Sequence, residues 1–238
     1  MEAPFAASYI KLERANGFIE ELAREIQAYQ DSNPATAKLD VPAGKIHLNI
    51  RGPGSKPGAI VGDAIHNMRT ALDLMASELA RNNSKSDKDV YFPFSKDKDD
   101  LAAAIKARSF HKAGEEAVKL LCQFAPYKGG NDALRGIHDL DIQDKHTAIV
   151  LLTHKAEAEF VARYNLDHRN DDHVSITATF HFVFKDGPFE GRGVVETLKE
   201  LVELVNGIVK AFAAIPKGEA ATGRWHSGPG ANQSARLL

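Results

Sequence analysis

Residues 62–80, GDAIHNMRTALDLMASELA, contain the pattern that most constrains the fold of this chain. Apolar side chains recur there every three or four residues and form one broad stripe, which is typical of a helix that packs against a core. Three polar residues, His66, Arg69 and Asp73, lie in a row beside this stripe. The pattern predicts a helix from about residue 59 to residue 81, with a polar row on the edge of its buried face.

Other segments repeat the helical period, while several alternate with the period of a strand. The clearest alternation is in residues 174–184, VSITATFHFVF, whose more apolar set ends with Phe180, Phe182 and Phe184. Strands are also predicted in residues 37–51, as a hairpin, in 157–165, pairing with 174–184, and just before the last helix. Further helices are predicted from Phe18 to about residue 30, within 95–110 with Ser95 as N-cap, within 114–127, after a cap at Asn131 or Asp132, and around 198–212.

These elements together predict an α+β fold, a mostly helical domain with one small antiparallel β-sheet. We expect a single domain over residues 1–216. Residues 217–238 are rich in Gly, Ala and Ser without periodicity, which predicts a flexible C-terminal tail.

The charges are nearly balanced, with 30 basic and 32 acidic residues, so the composition indicates no broad polyanion-binding surface. This balance does not exclude a local patch that binds nucleic acid. The single cysteine, Cys122, excludes an internal disulfide and is predicted to be buried. No apolar run has the roughly 18 residues of a membrane span, and no signal peptide is evident. We therefore expect a cytoplasmic protein without a membrane partner, and the oligomeric state, a homo-oligomer included, is left open.

The polar row of the first helix has two interpretations. Arg69 and Asp73 are spaced i, i+4 and can simply form a pair, while a backbone carbonyl can satisfy His66. Alternatively, the row lines a functional cleft together with polar residues on the adjacent row of the helix. Those residues are Asp63, Asn67 and Thr70.

A second polar segment, IHDLDIQDKH, spans residues 137–146. His138 and Asp141 are spaced i, i+3, a spacing that can place a metal ligand pair or an acid/base pair. Asp144, Lys145 and His146 are expected just past the helix end. The helix dipole also favours a cationic side chain at that position. No established ligand motif is present, so we predict neither a metal nor a cofactor.

The two segments resemble a set of uncharacterised bacterial and phage proteins. Their pattern is a GDxxHNLRSALDH helix, then Phe-Pro, a Gln-Pro-Tyr stretch, and an ending in Asp-Lys-His-Arg. The resemblance covers roughly residues 60–150. The matching positions are Gly62, Asp63, His66, Asn67, Arg69, Ala71, Leu72, Asp73, Phe92, Pro93, Tyr127, Asp144, Lys145 and His146.

The helix of that pattern more remotely resembles the Arg-x4-His motif of HEPN-type ribonucleases, which cleave RNA without a metal. This resemblance implies catalytic roles for His66, Arg69, Asp73 and His146, and binding roles for Asp63, Asn67, Asp144 and Lys145. The chain departs from the pattern in two places. Leu74 stands where the motif has its histidine, and Thr147 replaces the final arginine. A HEPN-like fold would therefore imply either that His66 or His146 takes the place of that histidine, or that the protein is catalytically inactive.

Two function classes follow from these observations. The first is a binding or scaffold domain in which the two polar segments form a buried network that locks helices together. The second is a HEPN-like ribonuclease, or an RNA- or nucleotide-binding accessory protein of a defence or toxin system. The solvent exposure of these polar side chains discriminates between the two classes. A structural network needs them buried and hydrogen-bonded to one another, whereas a functional site needs them to converge on a cleft.

Overall fold

The computed structural model describes residues 4–40, 45–146, 152–163 and 173–215. The fold is a mostly helical α+β fold, as predicted. In chain order, the elements are α1 (Ala6–Asp31), β1 (Ala35–Asp40), β2 (Lys45–Ile50), α2 (Lys56–Asn82), α3 (Leu101–Ala107), α4 (Glu115–Phe124), α5 (Asp132–His146), β3 (Leu152–Arg163), β4 (His173–Phe184) and α6 (Val194–Ala213). Two short 3-10 turns, Phe110–Ala113 and Gly187–Phe189, precede α4 and α6.

Helix α2 lies at the centre of the fold and contacts α1, α5 and α6. It runs antiparallel to α1, because Lys56 at its start pairs with Glu25 while Glu78 near its end accepts a hydrogen bond from the backbone N–H of Phe5. The predicted apolar stripe of α2 is buried, from Ile65 to Leu79. This burial explains why residues 62–80 carry so continuous an apolar pattern.

The residues at the start of α2 and α5 explain where these two helices begin. Pro57 stands in the first turn of α2, where the missing N–H of proline costs no hydrogen bond. The side chain of Asn131 accepts a hydrogen bond from the backbone N–H of Leu134 at 3.0 Å, which confirms one of the two predicted caps of α5. Helix α5 then continues to His146, so the prediction that Asp144 to His146 lie past the helix end was wrong.

The strands form two separate two-stranded sheets in the described residues, rather than the single sheet we predicted. β1 pairs with β2 from Ala35–Ile50 to Asp40–Lys45, and β3 pairs with β4 from Leu152–Phe184 to Arg163–His173. β1 packs near β4. However, the side-chain amide of Gln30 donates a hydrogen bond to the carbonyl of Phe180 in β4 at 2.9 Å. Residues 191 and 192 form backbone hydrogen bonds with Phe184. These bonds occupy the edge of β4 that a further strand would need.

Four other local predictions were wrong. Helix α1 begins at Ala6 rather than Phe18, because its buried face continues through the small residues Ser8 and Ala15, which hydropathy does not reveal. Ser95 is not a helix cap, since its hydroxyl donates to the carbonyl of Asp97 and α3 begins only at Leu101.

The predicted short strand before α6 is reduced to a single bridge between Val183 and Gly193. Cys122 is exposed, because α4 buries Ala117 and Leu121 and the next residue along a helix points away from that face. The predicted tail, 217–238, and Thr147 lie outside the described residues.

Candidate functional site

The Arg69–Asp73 pair of α2 holds the backbone of Phe92. Nη1 of Arg69 donates to Oδ1 of Asp73 at 2.5 Å, and Nη2 donates to the carbonyl of Phe92 at 3.2 Å. The same Asp73 oxygen accepts the backbone N–H of Phe92 at 2.9 Å. The Arg69 side chain is only 9% exposed and that of Asp73 is 25% exposed. The pair therefore satisfies both backbone polar groups of Phe92, a residue that belongs to none of the strands in the described part of the chain.

The side chain of Phe94, in the same segment, contacts one residue from each of the two helices α2 and α5. The guanidinium carbon of Arg69 lies 4.8 Å from the centre of the Phe94 ring. The imidazole of His138, on α5, stacks on that ring at 4.7 Å with an angle of 3° between the planes. An arginine over an aromatic face is favourable because the ring carries negative charge on its faces. Phe94 therefore links α2 to α5.

Arg135 of α5 holds the end of this segment. Its Nη1 donates to the carbonyl of Ser95 at 2.6 Å, while its Nε donates to Asp139 at 2.9 Å. The backbone N–H of Ser95 in turn donates to the carbonyl of Pro126. Residues 92–95 thus lie between two helices, each of which contributes one arginine to their backbone.

His138 is a neutral side chain in this environment. Burial lowers the pKa of His138 to about 4, and the positive charges of Arg69 and Arg135 add to the effect. Asp139 and Asp141 act in the opposite direction with less effect. Its Nδ1 atom is buried and has no hydrogen-bond partner among the described residues. His138 therefore serves as an aromatic platform for Phe94 at neutral pH rather than as a cation.

His66 is the exposed member of the polar row on α2. Its Nδ1 donates to Oδ1 of Asp141 at 3.0 Å, and its Nε2 lies 3.4 Å from the hydroxyl of Thr70. The His66 side chain is 48% exposed, whereas that of Asp141 is 7% exposed. A buried carboxylate on α5 therefore orients an accessible imidazole on α2.

The remaining candidates are only partly brought together. Asp63 is exposed and does not pair with Arg69; its backbone carbonyl accepts a hydrogen bond from the buried side chain of Asn67 at 2.8 Å. The carboxylate of Asp144 lies against Gly62 of α2. Lys145 and His146 close α5, but their side chains lie outside the described residues.

Sequence reasoning missed the parts of the site that depend on tertiary structure. Phe94 and Arg135 were not singled out, and His66 was not matched with Asp141. The residue types gave a partial signal, since both helices carried polar side chains at helical spacing. No local pattern marks Phe92 and Ser95, because only their backbone atoms take part.

The geometry gives no support to a metal centre in the described part of the chain. His138 stacks on Phe94 while Asp141 contacts His66, so this predicted ligand pair faces different partners. Among the described residues, no group of three or more His, Cys, Asp or Glu side chains is placed to hold a metal ion.

A cavity of about 300 Å³ lies elsewhere, where the end of α2 meets the start of α4. Its wall includes Phe5, Leu79 and Phe212, and none of the predicted site residues lines it. The polar network and this cavity are therefore separate features of the fold.

Comparisons with known proteins give no relative to which a function can be traced. No protein-family model, no curated protein and no solved structure matches the chain. The resemblance to bacterial and phage proteins, and the more remote one to HEPN ribonucleases, therefore stay predictions. None of the helices in the described ranges has both the length and the apolar character needed to cross a membrane.

Proposed function

We propose that this protein is a binding or scaffold domain, in which a polar network fixes residues 92–95 between α2 and α5. One observation carries the proposal. The hydrogen bonds of Arg69 and Asp73 join the two side chains to each other and to the backbone of Phe92. An arginine that is nine-tenths buried and engaged in this way is a structural group, since little of it faces a ligand.

The energetics support a locking role. Removing one member of a buried ion pair leaves the other charge desolvated and unpaired, which typically costs several kcal/mol. Removing Asp73 also takes away the acceptor of the Phe92 N–H. Asp73 therefore holds residue 92 directly, through its N–H, and indirectly, through Arg69.

The test is the free energy of unfolding of Asp73→Ala, measured by urea denaturation. We expect a loss of about 3 kcal/mol, and a smaller loss for Asp73→Asn, which keeps an acceptor oxygen. Asp87→Ala is the matched control, because its pair with Arg81 is exposed on both sides and should contribute less than about 1 kcal/mol. A variant Asp73→Ala as stable as the wild type would contradict the proposal.

A second candidate is a metal-independent, HEPN-like ribonuclease, or an RNA- or nucleotide-binding accessory protein of a defence or toxin system. The half-exposed imidazole of His66, oriented by Asp141, favours it, because general acid–base chemistry needs an accessible and oriented histidine. Its weakness is charge: Arg69 and Arg135 are both engaged by protein groups rather than open to phosphate.

Cleavage of short RNAs in the presence of a chelator tests this second candidate. We expect loss of cleavage in His66→Ala and in His146→Ala, each still folded, if RNA is the substrate. Wild-type protein that neither binds nor cuts RNA would exclude this second candidate.

We also propose a cytoplasmic location, which the free and exposed thiol of Cys122 supports, because such thiols persist in reducing compartments. Size-exclusion chromatography would measure whether the chain forms a homo-oligomer.

A further inference from the structure

Asp141, His66 and Thr70 form a relay that neither the scaffold role nor the polar network requires. The carboxylate of Asp141 accepts from Nδ1 of His66 at 3.0 Å, and Nε2 on the other side of the ring lies 3.4 Å from Oγ1 of Thr70. The order of groups is a buried acid, an imidazole and a hydroxyl. This is the order in which an acid orients a base and the base activates a nucleophile.

The burial of the three residues follows the same order. Asp141 is 7% exposed, so it stays ordered and holds the imidazole in one orientation. Because a carboxylate only accepts, the Nδ1 atom must carry the proton, which leaves the lone pair on Nε2. His66 is 48% exposed and Thr70 is half-buried, so both can be reached from solvent.

The hydroxyl of Thr70 is held near the base by the helix itself. His66 and Thr70 are spaced i, i+4 on α2 and therefore face the same side. A separation of 3.4 Å is longer than a good O–H···N bond, but nucleophile and base are often looser in an unliganded site and tighten with substrate.

The charges around the relay indicate the class of substrate. The buried Asp141 on α5 and the exposed Asp63 on α2 are negative. Arg69 of α2 and Arg135 of α5 are engaged by backbone carbonyls and carboxylates. Among the described side chains, a phosphodiester would therefore meet negative charge with no free guanidinium, whereas a neutral carboxylic ester carries no such penalty.

We propose that Thr70 and His66 form a catalytic pair for acyl transfer from neutral carboxylic esters, with Asp141 as the positioning residue. His66 Nε2 takes the proton of the Thr70 hydroxyl as Oγ1 attacks the ester carbonyl carbon. A new bond joins Oγ1 to that carbon, the bond from the carbon to the alcohol oxygen breaks, and the proton on Nε2 passes to the leaving alcohol. Asp141 remains ionised and stabilises the imidazolium.

Water completes the cycle in the same way. His66 removes a proton from water, the resulting hydroxide attacks the acyl group on Thr70, and the proton returns to Oγ1. The net products are the alcohol and the carboxylic acid, and no oxidant, metal or other co-reactant is required.

The experiment uses p-nitrophenyl acetate, an activated ester, with the full chain. Release of p-nitrophenol is followed by absorbance, and the acetylated residue is identified by peptide mass spectrometry after an acid quench. We expect one acetyl group on Thr70 in the wild type, and none at position 70 in Thr70→Val or in His66→Ala. Added imidazole should restore acetylation of Thr70 in His66→Ala, which a merely structural role of His66 would not produce.

Asp141→Asn tests the positioning role, because its amide can donate to Nδ1 and reverse the tautomer. We expect acetylation of Thr70 to be slower by roughly a hundredfold. His111→Gln, at an exposed histidine outside the relay, is the matched control and should match the wild type. Circular dichroism establishes that each variant is folded. Acetyl groups found only on other residues, or release of p-nitrophenol that persists unchanged in Thr70→Val, would overturn the proposal.

Discussion

The carboxylate of Asp144 lies directly against the backbone of Gly62. A methyl carbon added to Gly62 would lie 2.3 Å from Oδ1 and 2.5 Å from Cγ of Asp144, closer than any real non-bonded contact. Gly62 is buried in α2, and Asp144 is on the last turn of α5. The two helices therefore approach closely at this point because residue 62 has no side chain.

Gly62→Ala should destabilise the fold even though alanine is the better helix former. In an open helical position, the change from glycine to alanine gains up to about 1 kcal/mol. Here the added methyl group must displace the short Asp144 side chain, and overpacking of this kind typically costs about 1–3 kcal/mol. We expect a net loss of free energy of unfolding of about 1 kcal/mol, measured by urea denaturation.

Gly17→Ala is the control for this prediction. Gly17 is exposed in α1, and nothing lies within 4 Å of the position that its Cβ would take. The same substitution should therefore stabilise the protein by about 0.5–1 kcal/mol. Equal gains in stability for the two variants would show that α2 and α5 do not meet at Gly62.

The exposed thiol of Cys122 gives a direct check on the orientation of α4. The helix buries Ala117 and Leu121 and turns Cys122 outward. A disulfide reagent such as DTNB should modify one thiol of the native protein at a rate within a few-fold of that in denaturant. A thiol that reacts only after unfolding would mean that α4 is rotated and that the cysteine packs inside, as its residue type alone suggested.

Much of the fold could be predicted from the spacing of apolar residues. A long helix or strand that packs on the core needs an apolar residue each time its buried face recurs. The stripes of α2 and α6 and the alternation of Phe180, Phe182 and Phe184 are buried as the patterns predict. The start of α1 escaped because Ser8 and Ala15 are buried for their small size, not for their hydropathy. The division into two sheets escaped because a side chain, Gln30, occupies the edge of β4.

The candidate site was less predictable, because its decisive contacts join distant parts of the chain. The spacing of Arg69 and Asp73 predicted their pair, since both lie on one helix. Their bonds to Phe92 and the contact of His66 with Asp141 span long stretches of sequence and depend on how α2 and α5 pack. Residue types indicated that these helices carry polar groups but not which groups meet.

His138 should make stability depend on pH in the mildly acidic range. Its pKa falls from 6.5 to about 4 in the folded protein because of burial and of Arg69 and Arg135. The unfolded chain therefore binds a proton at this residue more readily than the folded one. The contribution of neutral His138 to the free energy of unfolding is fully present above pH 6.5. It is lost progressively as the pH falls from 6.5 toward 4.

Urea unfolding of the wild type and of His138→Phe between about pH 7 and about pH 5 measures this effect, since most carboxylates stay ionised in that range. Phenylalanine keeps an aromatic ring for Phe94 and removes both the titrating group and the unsatisfied Nδ1 atom. We expect the wild type to lose stability more steeply than the variant as the pH falls. Parallel curves, or an NMR titration midpoint of His138 near 6.5 in the folded protein, would mean that His138 is not held neutral between α2 and α5.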